Sequence, residues 1–322
     1  HADDLVHVHP FGAAGEPPQV GEQRDHVDAL RMALERPVFL PGAGLVSMMV
    51  ATMAGRPLIG QRWIIASLIA TGSISFLLWA HHMFSVGMSQ ASVAFFSVAS
   101  LLVAIPAAVQ VFAWIGTFAS GRVKLAAPTW FLLGFFGIFV LGGLTGVMVA
   151  VAPFDWQAHD TYFVVAHLHY VLIGGMVFPV FAAIYYWAPL VSGRQLSERM
   201  GKWACAIMFI GVHLTFFPMH FSGMAGMPRR VWTYSESMGW DTWNMLSTVG
   251  AFGIAFGVLI VLVDLVLHFR PAAKVDVNPW NAGTLEWLPL DNYAVRSIPR
   301  VDGAYPLWDH PGLREEVDAG RH

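Results

Sequence analysis

The chain has 322 residues, of which 56% are hydrophobic and only 12% are charged, and its formal net charge is −3. A soluble globular domain is about one quarter charged, so this composition excludes an ordinary soluble domain, and the slightly acidic balance predicts no nucleic-acid partner. Cys205 is the single cysteine, which excludes a disulfide framework and a thiolate metal site.

The charged residues are concentrated at the two ends of the chain. Residues 37–269 hold only 15 of the 39, whereas residues 1–36 hold 10 and residues 270–322 hold 14. We therefore expect a polar N-terminal segment (1–36) with no assigned role, a transmembrane region (37–269) and a cytoplasmic C-terminal tail (270–322). The first segment has no apolar run long enough for a signal peptide.

The middle region contains six apolar stretches of a length that can cross a bilayer as helices, for which about 20 residues are needed. They lie near 63–84, 91–118, 129–152, 161–189, 203–223 and 243–268, and a shorter one lies near 38–54. The sequence therefore predicts an all-α membrane protein, a polytopic bundle of about six to seven transmembrane helices.

The loop charges predict an orientation. Loops 85–90 and 153–160 contain no Lys or Arg, whereas the alternate loops are basic and should face the cytoplasm. The basic set is Arg56, Arg62, Arg122, Lys124, Arg194, Arg199, Lys202, Arg270 and Lys274. Arg229 and Arg230 fall on the opposite, outer side. Either their loop has little weight in setting the topology, or they pair with fixed anions at the membrane face.

A pair of histidines closes the first long apolar stretch. His81 and His82 are adjacent, and adjacent helical residues differ by about 100°, so both imidazoles can converge on one ion at a helix end. Imidazole is a good ligand for copper, iron or zinc. An interfacial pair that points to water explains the same spacing equally well.

A second pair lies inside the 161–189 stretch. His167 and His169 are separated by about 200° of helix rotation, so they point to nearly opposite faces and cannot share one ion. The helix could instead hold two separate metals, such as two haem irons, one on each side. Neutral core histidines that are hydrogen-bonded to carbonyl groups remain the alternative.

His159 and Asp160 stand at the outer start of the same stretch. An aspartate before a helix is commonly its N-cap, and geometry alone favours that interpretation of Asp160. The same two side chains could also bind a hard divalent ion.

Several long motifs then resemble a known family. They are Trp79–Met88, Gly142–Gly146, His159–Leu172, Gly226–Arg230 and Asn278–Trp287. From about Leu40 onward, the chain resembles the C-terminal half of subunit I of cytochrome c oxidase, a haem-copper terminal oxidase, in its bacterial aa3 and caa3 forms. The resemblance implies a multi-pass protein of the bacterial plasma membrane that contacts lipid and reduces O₂ to water with electrons from cytochrome c, coupled to proton translocation. It also implies subunits II and III as partners.

The resemblance further implies roles for the four paired histidines of the apolar region. His81 and His82 correspond to two of the three ligands of the Cu-B copper. His167 corresponds to the axial ligand of a high-spin haem beside that copper, and His169 to one axial ligand of a low-spin haem. Both haems are expected to be of the a type, and His81, His82 and His167 form the expected catalytic set.

At the outer face, the resemblance implies that Arg229 and Arg230 pair with haem propionates and that Asp155 lies near those propionates. His159 and Asp160 correspond to a Mg²⁺ site that subunit II completes.

The chain also departs from the family pattern. The family has about twelve helices, and the N-terminal ones carry the second axial ligand of the low-spin haem. The third copper ligand belongs to a His-Pro-Glu-Val-Tyr motif, in whose place Met32–Arg36 has neither His nor Tyr. We therefore keep two alternatives: a catalytically silent half-subunit, and a nitric-oxide-reductase-like member with iron in place of copper.

A further departure concerns proton transfer. The Thr and Lys of a family proton channel are replaced by Ala107 and Gln110. Glutamine orders water but does not carry a proton, so we expect either another proton route or impaired translocation.

Overall fold

The computed structural model describes residues 39–269, 278–288, 301 and 303–318. Within these ranges the regular elements are helical, and the one β-type contact is an isolated bridge between Thr161 and Pro228. Residues 1–36, and with them the Met32–Arg36 stretch, lie outside the described residues. The segment boundaries expected after residues 36 and 269 therefore stay predictions.

The described α-helices are numbered here in chain order. They are α1 (Phe39–Ala54), α2 (Gln61–Leu77), α3 (Gln90–Leu102), α4 (Ala104–Ala119), α5 (Ala127–Ala150), α6 (Ala152–Ala158), α7 (Tyr162–Leu172), α8 (Phe178–Ser192), α9 (Glu198–Met224), α10 (Asp241–His268), α11 (Pro306–Asp309) and α12 (Leu313–Asp318). Short 3₁₀ turns occur at Trp79–Met83, Glu236–Met238 and Leu285–Trp287, and a π turn at Ile173–Val177 joins α7 to α8.

Six helical segments of the described chain are long and apolar enough to cross a membrane, and α1 is a shorter apolar helix. The predicted all-α polytopic bundle is therefore confirmed. Two of the six segments are interrupted. The α3–α4 segment breaks at Val103, three residues before Pro106, whose ring and missing N–H disfavour an uninterrupted helix. The α7–α8 segment contains the π turn, which includes Gly174 and Gly175.

Helix α5 lies at the centre of the bundle and packs against α1, α7, α8 and α9. Its aromatic side chains are buried: Phe131 and Phe135 are both 0% exposed, and Phe131 contacts Phe178 and Tyr185 through ring pairs 5.8 Å apart. Such buried rings supply large contact areas in a membrane interior, where packing rather than water exclusion holds helices together. This packing fixes α8 against α5, and α8 continues through the π turn from α7, the helix of the His167–His169 pair.

The described part of the tail is docked on the basic end of the bundle. The Trp280 indole N–H donates to the Tyr186 carbonyl at 2.8 Å, and Trp287 packs edge-on against the Tyr186 ring. The Lys124 ammonium donates to the Trp280 carbonyl. The tail therefore lies on the side of the bundle that the basic loops predict to be cytoplasmic.

One fully buried carboxylate ties three elements together at that same end. The Tyr185 hydroxyl of α8 donates to Asp264 of α10 at 2.8 Å, and the backbone N–H of Ser197, just before α9, donates to its other oxygen at 3.1 Å. Because a buried ionisable group in a membrane segment is costly without partners, these bonds are what make Asp264 tolerable there.

The packing of α9 on α10 gives a test of the fold. A Cβ atom at Gly250 would lie 2.4 Å from the Thr215 nitrogen, whereas one at Gly253 would have no atom closer than 3.5 Å. We expect Gly250→Ala to lower the unfolding free energy by about 1–3 kcal/mol, because the two helices must separate. Gly253→Ala should be neutral or slightly stabilising, since alanine favours helix. The thermal midpoints of the two purified variants compare them directly, and equal midpoints would contradict the packing described.

Candidate metal-binding site

Helix α7 carries His167 and His169, and a side-chain hydrogen bond caps its N-terminus. The Thr161 hydroxyl accepts a hydrogen bond from the Phe163 N–H at 3.2 Å, so Thr161 is the N-cap. The expectation that Asp160 caps the helix is wrong. Asp160 has φ 57° and directs its carboxylate to Arg229 on the loop that follows α9, which leaves the cap to the next residue.

His167 is seated on the glycine-rich part of α5. Its Nδ1–H donates to the Gly142 carbonyl at 3.1 Å and lies 3.2 Å from the Thr145 hydroxyl oxygen. A Cβ atom at Gly146 would lie 2.9 Å from the imidazole Cε1, so the ring occupies the space that the missing side chain leaves. Because Nδ1 carries the proton, Nε2 keeps the lone pair that a metal needs.

His169 points to a different helix. Its Nδ1–H donates to the Val165 carbonyl at 2.7 Å, and its ring stacks on Phe216 of α9 with centroids 4.4 Å apart and planes 13° apart. The two imidazoles therefore contact α5 and α9 respectively, as the rotation of about 200° predicts. In His169, too, the carbonyl contact leaves the lone pair on Nε2, the atom that a metal would bind.

His81 and His82 lie side by side, with ring centroids 4.3 Å apart. They occupy the 3₁₀ turn after α2, which ends at Leu77, and not the last turn of a helix as predicted. The Ser100 hydroxyl of α3 donates to the Phe96 carbonyl at 2.6 Å, so its oxygen accepts from His81 Nδ1–H at 2.8 Å. The Nε2 atom of His81 is again the one with a lone pair.

The remaining candidate residues form a cluster on the predicted outer side. Asp155 is buried and accepts a hydrogen bond from His159 Nδ1 at 2.9 Å. This bond raises the pKa of His159 above its usual value of 6.5. Asp160 forms an ion pair with Arg229, whose backbone N–H donates to the Asp160 carbonyl at 2.8 Å. Arg230 is exposed and has φ 66°.

The Arg229–Asp160 ion pair bears on why Arg229 and Arg230 lie on the predicted outer side, opposite to the other basic loops. Both alternatives stay open, but an anion at the outer face is present within the chain itself. Burial also leaves the Arg229 Nε without a hydrogen-bond partner among the described residues. One further donor of this guanidinium is therefore available for an acceptor that the described chain does not supply.

A cavity of about 210 Å³ lies between α5, α7 and α9, beside the His167 seat. Thr145, Tyr170 and His220 contribute to its wall. The Tyr170 hydroxyl and the His220 Nε2 are buried and have no hydrogen-bond partner in the described part of the chain. Neither residue was predicted from the sequence, although a histidine inside the apolar 203–223 stretch was a signal for His220.

The donor chemistry fits the groups that the resemblance implies, with one gap. His167 and His169 each have Nδ1 fixed by a backbone carbonyl, which is the usual arrangement of a metal-binding imidazole. His81 and His82 place two imidazoles side by side, as a copper site with adjacent histidine ligands requires. Among the described residues, however, no group of three or more His, Cys, Asp or Glu could hold a metal ion. The third copper ligand was expected in the 32–36 region, which lies outside those residues.

The fold and the paired imidazoles define a polytopic membrane protein with donors for metal centres. The family described as "Cytochrome C and Quinol oxidase polypeptide I" matches residues 37–253. The chain belongs to this family, subunit I of the haem-copper oxidases. It is a multi-pass protein of the bacterial plasma membrane, in a family of respiratory oxidoreductases that use haem and copper.

Several relatives document the similarity. The chain is 42% identical to cytochrome c oxidase subunit 1 of Bacillus sp. (strain PS3), over 87% of this chain and 46% of that protein. It is 42% identical to quinol oxidase subunit 1 of Bacillus subtilis (strain 168), over 82% of this chain and 42% of that protein. It is 41% identical to cytochrome c oxidase subunit 1 of Cereibacter sphaeroides, over 82% of this chain and 47% of that protein. The match therefore spans a little under half the length of these relatives.

The fold is also similar to that of a heme-copper terminal oxidase dimer determined by cryo-EM. The TM-score is 0.65 at 18% sequence identity, over 73% of this chain and 47% of that one. At 18% sequence identity this structural similarity shows the shared polytopic helical fold alone.

The His159–Asp155 contact predicts a measurable titration. In EDTA-washed protein we expect His159 to titrate above pH 6.5, because its protonated form is hydrogen-bonded to Asp155. The stabilisation from this pair is then fully present below pH 6.5 and is lost as the pH rises through the raised pKa. Asp155→Asn should lower the midpoint of a ¹⁵N-histidine NMR titration. Asp160→Asn should lower it less, since Asp160 acts only through space. An equal effect of both variants would contradict the geometry.

Proposed function

We propose that this chain forms the haem- and copper-binding part of subunit I of a terminal oxidase that reduces O₂ to water. The observation that carries the proposal is the placement of His167 and His169. They lie on opposite faces of one membrane helix, and a carbonyl fixes the same tautomer in each. Two partly buried imidazoles that are oriented in this way would each bind the iron of a separate haem.

In this proposal each α7 histidine has one role. His167 Nε2 would bind the iron of a high-spin haem and His169 Nε2 would bind the iron of a low-spin haem, both haems being of the a type. When bound, the haems and the copper supply the electron transfer and the oxygen chemistry. The protein sets imidazole orientation: Gly142 and Thr145 hold the His167 ring, and Phe216 holds the His169 ring in a stacked position.

His81 and His82 are proposed as Cu-B ligands and, with His167, as the catalytic set. Their supporting geometry is the 4.3 Å separation of the rings and the fixation of His81 by Ser100. A partner that orients a ligand in this way raises its basicity and holds it in place.

At the outer face we propose that Arg229 and Arg230 bind haem propionates, with Asp155 close to them. The unpartnered Nε of Arg229 supports this assignment, because a guanidinium donor suits a carboxylate acceptor. His159 and Asp160 are proposed as ligands of a Mg²⁺ ion that subunit II completes. They offer a nitrogen and a carboxylate, and their present partners, Asp155 and Arg229, orient them.

Proton translocation is proposed to run without a titratable side chain at position 110. Gln110 is fully buried, and its amide donates to the Thr71 hydroxyl at 3.3 Å. Its Oε1 has no partner in the described chain, so a water molecule is the natural donor to it. Gln110 then orders water on this face of α4 and does not itself release a proton.

The electron donor is proposed to be cytochrome c, and the partners to be subunits II and III. Among the relatives are both cytochrome c oxidases and quinol oxidases at the same level of identity. The proposed donor follows the resemblance of the whole chain to the aa3 and caa3 forms of cytochrome c oxidase.

A catalytically silent half-subunit is the second candidate. It is favoured by the incomplete copper ligand set within the described residues. A nitric-oxide-reductase-like member, with iron in place of copper, is the third.

The test uses the chain purified from bacterial membranes together with the polypeptides that copurify with it. We expect copper in the preparation and O₂ uptake with reduced cytochrome c that exceeds the uptake with a quinol. His82→Ala should remove the copper and lower O₂ uptake more than about a hundredfold, because even the loss of a ligand's partner costs about 10–100-fold. His213→Ala is the matched control, since this membrane histidine is bonded to the Phe209 carbonyl and has no proposed ligand role.

Each other outcome selects a rival. Iron without copper would overturn the copper assignment in favour of the nitric-oxide-reductase-like member. Protein without haem, copper or O₂ uptake would identify the silent half-subunit. Faster O₂ uptake with the quinol would correct the donor alone.

A further inference from the structure

A cleft on the basic side of the bundle contains two arginines that the metal sites do not use. Its volume is about 420 Å³, in the range of small-molecule sites, and its wall is formed by residues 54–57 and 120–122. Arg56 and Arg122 are the only charged residues in that wall. The cleft lies where α1, α2, α4 and α5 end or begin, which is the level of the membrane surface.

The two walls of the cleft are held together by backbone contacts. The N–H groups of Arg122 and Lys124 donate to the Ala54 and Met53 carbonyls, both at 2.9 Å. A Cβ atom at Gly121 would lie 2.5 Å from the Ala54 oxygen, so only glycine permits this approach. The position of both arginines is therefore set by the fold, and the cleft is built before any ligand arrives.

The guanidinium groups of Arg56 and Arg122 have N–H donors that no described residue uses. Arg56 Nη1 donates to the Ser120 carbonyl at 3.1 Å, which satisfies one helix-end carbonyl and steers the guanidinium across the cleft. The Arg56 Nε is buried and has no partner among the described residues. Neither arginine forms an ion pair with a described carboxylate, whereas Lys202 and Arg229 do. Two guanidinium groups at one cleft, neither paired with a carboxylate of the described residues, attract an anion, and their fork geometry matches phosphate.

The surroundings indicate where that phosphate comes from. Trp63, in the first turn of α2, is 72% exposed, and Leu125, beside Arg122 and Lys124, is 62% exposed. Exposed tryptophan beside arginine at the end of a membrane helix is typical of the headgroup level. The basic loops place this side at the cytoplasm, where the leaflet contains anionic lipids.

We propose that Arg56 and Arg122 form a binding site for the phosphate group of an anionic phospholipid of the cytoplasmic leaflet. The lipid headgroup enters the cleft and its acyl chains lie along the apolar surface of α2 and α4. The site is separate from the proposed haem and copper ligands and does not depend on their assignment. It would hold the α1–α2 and α4–α5 loops together from outside.

The experiment measures lipid retention by native mass spectrometry. The purified protein is reconstituted in nanodiscs of equimolar phosphatidylglycerol and phosphatidylcholine, and the retained lipids are identified after release. We expect phosphatidylglycerol to be enriched on the wild-type protein. Each of Arg56→Gln and Arg122→Gln should weaken this retention about fivefold, and the double variant about thirtyfold. Arg62→Gln is the matched control, because it removes the same charge from the same side but not from the cleft wall.

Two further arms make the outcomes distinct. The double variant Arg56→Lys with Arg122→Lys keeps both charges but removes the forked donors, so we expect it to retain part of the phosphatidylglycerol. This variant replaces the double glutamine variant if the latter does not fold. Inorganic phosphate is added to phosphatidylcholine nanodiscs at constant ionic strength. Stabilisation by phosphate that the double variant abolishes, without phosphatidylglycerol enrichment, would overturn the lipid as the source. Equal losses in Arg62→Gln and in each single cleft variant would overturn the site itself, since retention would then follow net charge alone.

Discussion

The hydrogen bond between His167 and the Gly142 carbonyl of α5 is the contact on which the arrangement of the proposed metal ligands depends. The Gly142 carbonyl accepts a hydrogen bond from the imidazole Nδ1–H, and a Cβ atom at the same residue would lie 3.0 Å from the Tyr170 backbone. The glycine therefore lets α7 approach α5 closely enough for the hydrogen bond to form. Once this contact fixes the rotation of α7, His169 is carried to the α9 side, where Phe216 covers its ring. One backbone carbonyl thus determines the tautomer of one ligand and the direction of both.

Much of this architecture could be predicted from the sequence, because it follows from the helical period and from the pattern of apolar and charged residues alone. The six membrane segments follow from apolar length, and the opposite faces of His167 and His169 follow from about 100° of rotation per residue. The basic loops predict the side on which the tail docks, and Lys124 and Trp280 lie together there. These properties depend on neighbours along the chain, so one sequence contains all the information that they require.

Other features depend on contacts between distant segments and were missed or wrong. Asp160 does not cap α7, because Arg229, some seventy residues later, binds its carboxylate. His81 and His82 lie in a 3₁₀ turn that Ser100 of the next helix helps to hold. The unpartnered Tyr170 hydroxyl and the cleft of Arg56 and Arg122 exist only where separate helices meet. Local patterns carry no signal for such contacts.

The division of the α7 histidines between two haems is the central claim, and optical spectra of two single variants test it most directly. The readouts are the reduced-minus-oxidised spectrum and the CO-difference spectrum, because only an iron with an open coordination position binds CO. His169→Ala should lose the low-spin signal and keep the CO-binding haem, and His167→Ala should do the reverse. Identical spectra for the two variants, or spectra unchanged from the wild type, would contradict the account.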